Sequence, residues 1–176
     1  QVMALAGYGD DAERARARYA LARAAGKLPA GTYRIASGLP GTLLETECLG
    51  WLLSGYRFDR YRKKAADKVG LIAPEGVNAA KVEVIAAAEA LLRDLVNTPT
   101  SDMGPDKLEQ AAEALAGTRG ASFSVISGDD LLARNFPMIH AVGRASATPP
   151  RLIDFRWGET GPTITLVGKG VCFDTG

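Results

Sequence analysis

The chain has 176 residues, 47% hydrophobic and 23% charged, the balance of one ordinary globular domain or one and a half. A formal net charge of +1 gives no global field for nucleic acid or an anionic membrane, and no apolar run approaches the length of a spanning helix. The two cysteines, Cys48 and Cys172, exclude a disulfide framework and a Cys/His zinc pattern, and fit a reducing, cytoplasmic compartment.

The opening "QVMALAGYGDD" has no basic stretch and acids follow its short apolar run, so it is not a signal peptide. Beginning on Gln, the chain is expected to be a piece of a longer one. Asp10 to Ala25 is rich in Ala and Arg, carries acids in its first turn and predicts one helix stopped at Gly26. Gly31–Ala36 is short and alternating, a strand. "GLPG" is a turn, after which Thr42 to about Lys64 predicts a second helix with a leucine face. Its end, "RFDRYRKK" (Arg57–Lys64), reads as a solvated amphipathic helix terminus whose cations complement the dipole.

"KVGLIAPEGV" predicts a strand running into a Pro-Gly break, and Asn78 caps a long helix to about Leu95. "NTPTSDMGP" is a polar loop, and Pro105 suits the first position of the next helix. Ala121–Gly128 is a strand and "DDLLARNF" a short helix, with the acids of "GDD" (Gly128–Asp130) explained as its cap. "MIHAV", "RLIDFRW" and "TITLV" follow as strand-like runs. Helix and strand alternate and then strands crowd together, so the fold class is α/β with a mixed or largely parallel sheet. The boundary falls near Pro74–Asn78, giving residues 1–77 and 78–176; the helix from Asn78 bridges the two or belongs to the second.

Few residues suggest chemistry. "GKG" at Gly168–Gly170 is not a nucleotide P-loop, because Gly161 is wrongly spaced and Lys169 is followed by Gly170 rather than a hydroxyl residue. No G-x-S-x-G elbow occurs. His140, the only histidine, is a structural residue on this reading, and Cys172 a small packed one. Lys169 and Asp174 stand out: an apolar run delivers Lys169 to a glycine-flanked turn, at a strand end of the kind where ligands collect. A carboxylate is a natural ligand for a hard metal. A lysine serves only once its amine is deprotonated, which burial and a nearby dication favour.

"LVGKGVCFDTG" (Leu166–Gly176) resembles the signature of the leucyl (cytosol) aminopeptidases, usually Val-Gly-Lys-Gly-Val-Thr-Phe-Asp-Thr-Gly-Gly. "LVNTPTSDMGPDKL" (Leu95–Leu108) resembles the family's Asn-x-Pro loop, and "HAVGRASATPPRLIDFRW" (His140–Trp157) its Ala-Val-Gly-x-x-Ser…Pro-Arg-Leu-Ile segment. The resemblance is sharp from about Asn78 onward; the first 75 or so residues would be the later part of an N-terminal α/β domain. It implies a hexameric aminopeptidase holding two divalent ions (zinc, manganese or magnesium) and removing N-terminal residues, often leucine, from peptides. Lys169 would bind one ion and Asp174 bridge both. The family's second glycine, catalytic lysine and Asp-x-Glu-Gly-Arg motif do not occur in these residues, and Cys172 stands where Thr is usual. The 176 residues alone are therefore expected to be inactive. The competing reading is a truncated, non-catalytic homologue acting as an assembly or interaction module.

Overall fold

A computed structural model describes residues 3–63, 65 and 68–172. The chain divides into two compact units, Gln1–Asn97 and Thr98–Gly176, and both mix helix with strand, as an α/β chain should.

In the first unit α1 (Asp11–Arg16) opens with a capping box: Asp10 Oδ1 accepts from the Glu13 amide (2.8 Å), and Glu13 Oε2 from the Asp10 amide (3.0 Å). The helix then stops, and α2 (Ala20–Ala25) starts afresh, so the single helix expected over Asp10–Ala25 is two. The hinge is Tyr19, in the left-handed region at φ 64°. Its cause lies far along the chain, in α3 (Gly41–Ser54). Tyr19 packs on Gly50, where a Cβ would sit 2.6 Å from the Tyr19 Cβ. Glu47, buried on the same helix, accepts a hydrogen bond from the Leu21 amide (2.8 Å) in the first turn of α2. Tyr19 itself makes no capping bond, so a carboxylate from another helix does that work.

Ala20 and Ala25 are buried on α2, and Cys48 and Trp51 on α3, which together form the core of this unit with Val82. Strands β1 (Gly31–Tyr33) and β2 (Val69–Leu71) pair in parallel, Gly31 opposite Val69 and Tyr33 opposite Leu71. The Tyr33 and Trp51 rings lie 6.3 Å apart. α3 ends at Ser54, with Gly55 as its C-cap, rather than running on toward Lys64, which lies outside the described residues. The Tyr56 hydroxyl is drawn toward α4 (Ala79–Asn97), donating to Asp94 (2.8 Å) and accepting from Asn97 Nδ2 (3.1 Å). Arg57 to Lys63 therefore form an irregular loop, not a helix terminus. α4 begins as expected, with Asn78 Oδ1 accepting from the Lys81 amide (3.1 Å), and packs on α3 through Val82.

In the second unit α5 (Pro105–Arg119) has Pro at its start and Gly120 at φ 65° closing it, the usual asymmetry of helix ends. β3 (Ser122–Ser127) pairs antiparallel with β4 (Arg151–Arg156), Ser122 opposite Arg156 and Ser127 opposite Arg151. The expected mixed or parallel sheet is thus two separate two-stranded pieces, one parallel and one antiparallel, among the described residues. Between β3 and β4 lie α6 (Asp130–Ala133), which buries Leu131 completely, and α7 (Pro137–Gly143). "MIHAV" is therefore helical. Pro137 opens the helix, the His140 amide bonds the Phe136 carbonyl, and the Arg144 amide bonds that of His140. "TITLV" joins no ladder among the described residues, and Ile164, Leu166 and Val167 are 81%, 91% and 91% exposed. β-branched residues make a strand only where a neighbouring strand takes their backbone groups.

Candidate metal-binding segment

The second unit fastens its strands through residues of the two proline-containing motifs. After Pro99 the chain turns tightly, the Asp102 and Met103 amides donating to the Pro99 carbonyl (2.8 and 2.9 Å). Gly143, at the end of α7, lies under Pro150: a Cβ there would be 2.4 Å from the Pro150 Cβ. Arg151 pairs with Glu109 on α5 while its Nε and Nη2 donate to the Pro149 carbonyl (3.3 and 3.0 Å). Both ion-pair side chains are largely buried, which makes the guanidinium a clamp between helix and strand. The sequence singled out this segment only by resemblance. Its physical signal was a glycine and a Pro-Pro-Arg run, residues that allow and direct close backbone approach.

His140 is paired, as a structural histidine should be: its Nε2 lies 3.2 Å from Asp129 Oδ1. The same bond corrects the reading of "GDD". Asp129 stands just before α6 but has helical backbone angles and makes no side-chain capping bond; its carboxylate faces α7 instead. Cys48 is buried, and desolvation followed by the Glu47 carboxylate holds its thiol above the usual range. It behaves as a packed apolar residue. Cys172 is half-buried and unbridged.

Lys169 lies on the exposed run after β4, between Gly168 and Gly170, around which a Cβ would meet no atom within 4 Å. Asp174 lies outside the described residues. Among the described residues no group of three His, Cys, Asp or Glu side chains could hold a metal ion. A lone exposed amine does not make a site for two divalent cations, which require several oxygen or nitrogen donors around each ion. The donor set in hand therefore does not fit a dinuclear centre, and no reaction step follows from it. No helix of the described residues is long and apolar enough to cross a membrane.

Two family models match consecutive stretches of the chain: the M17 aminopeptidase N-terminal domain over residues 3–74, and the cytosol aminopeptidase family catalytic domain over residues 90–176. A probable cytosol aminopeptidase of Leifsonia xyli is 34% identical over 195 residues, spanning 99% of this chain and 38% of that protein. The crystal structure of a cytosol aminopeptidase from Coxiella burnetii superposes with a TM-score of 0.74 at 34% identity, covering 80% of this chain and 31% of that one. The bottromycin maturation enzyme BotP in complex with Mn matches with a TM-score of 0.66 at 31% identity, over 78% of this chain and 32% of that one. The chain thus spans about a third of the length of these relatives.

Proposed function

Because the chain belongs to the cytosol aminopeptidase (M17) family, we propose that the whole protein is a metal-dependent leucyl aminopeptidase releasing N-terminal amino acids from peptides. The observation that carries this is the match of both family domains, in order, to residues 3–74 and 90–176. In this reading Lys169 would serve as a ligand of one divalent ion and Asp174 as a ligand shared by two, with zinc, manganese or magnesium as the metals; the manganese complex of BotP supports a divalent ion. When bound, such ions polarise a peptide carbonyl and lower the pKa of water. The protein is cytoplasmic, in keeping with its relatives' description as cytosol aminopeptidases, and the family resemblance of its motifs supports assembly as a homohexamer. Residues 78–176, from the start of α4, are its catalytic-side portion and residues 1–77 part of its N-terminal domain.

The 176 residues by themselves are catalytically silent. The chain spans about a third of the length of its relatives, which favours this and is also what the assembly-module alternative requires. The test measures hydrolysis of leucine p-nitroanilide with manganese, using the isolated chain and the whole protein side by side. Turnover by the whole protein alone, lost in Lys169→Ala and Asp174→Ala, supports the enzyme reading. Lysine- and aspartate-dependent turnover by the 176 residues would defeat the claim of silence. No turnover by either would leave the assembly module standing.

A further inference from the structure

We draw no further inference here: the strongest candidate, the exposed apolar stripe along α4 formed by Val84, Ile85, Leu92 and Val96, carries none, because nothing in the structure shows what covers it.

Discussion

Gly50→Ala tests why the first unit breaks its N-terminal helix. In an isolated helix the change should stabilise, since alanine is favoured over glycine in a helix interior by about 1 kcal/mol. Here the new Cβ would lie 2.6 Å from both Cβ and Cδ1 of Tyr19. Carbon atoms pack at about 3.5–4.0 Å, so Tyr19 must retreat by about 1 Å. Overpacking of this kind costs about 1–3 kcal/mol. Tyr19 is also the left-handed hinge, two residues before the Leu21 amide that donates to Glu47. Moving it strains a hydrogen bond to a buried carboxylate, a class of bond contributing about 1.5–3 kcal/mol. Less the helix gain, the expected loss is about 1.5–5 kcal/mol. Urea unfolding followed by far-ultraviolet circular dichroism would measure it. Gly117→Ala in α5 is the control, since a Cβ there meets nothing within 4 Å and the change should stabilise by up to about 1 kcal/mol. Adding Tyr19→Gly to Gly50→Ala should recover part of the loss, because glycine accepts φ 64° without strain. If Gly50→Ala proves as stable as the parent chain, tertiary packing is not what divides α1 from α2.

Glu47→Ala removes the carboxylate that caps α2 and should destabilise the first unit by about 1.5–3 kcal/mol, read from the same urea transitions. Gly143→Ala drives a Cβ to 2.4 Å from Pro150 and should cost about 1–3 kcal/mol, with amide exchange accelerating along β3 and β4 rather than in the first unit. Stability should fall as pH rises above about 8.5. Burial raises the Cys48 thiol, so above its unfolded pKa the folded chain holds a proton that the unfolded chain releases; raised Tyr8 and Tyr56 act in the same sense at higher pH. Thermal melts from pH 7 to pH 10 would show this, and Cys48→Ala should lessen the drop at its start; a stability that rises over that range contradicts it.

Local chemistry was enough to place several elements. Asn78 at the head of α4 and Pro105 at the head of α5 act through neighbouring amides and through a fixed φ, so a short window of sequence contains the whole cause. The α/β class followed from hydrophobic period, and family membership from three ordered motifs. Lys169 was found the same way, from the motif that contains it.

What sequence windows missed had causes at long range. The break at Tyr19 depends on Gly50 and Glu47 of another helix, and the early end of α3 on Asp94 and Asn97 of α4. Asp129 left its cap role for His140, and "MIHAV", with strand-forming residues, took the helix that Pro137 starts. "TITLV" shows the converse: its composition favours a strand, yet no described strand pairs with it. Propensities and caps act within a turn of helix, and the sequence by itself determined what they control. Close packing, borrowed hydrogen bonds and strand pairing join residues far apart in the chain, so only the tertiary structure decided them.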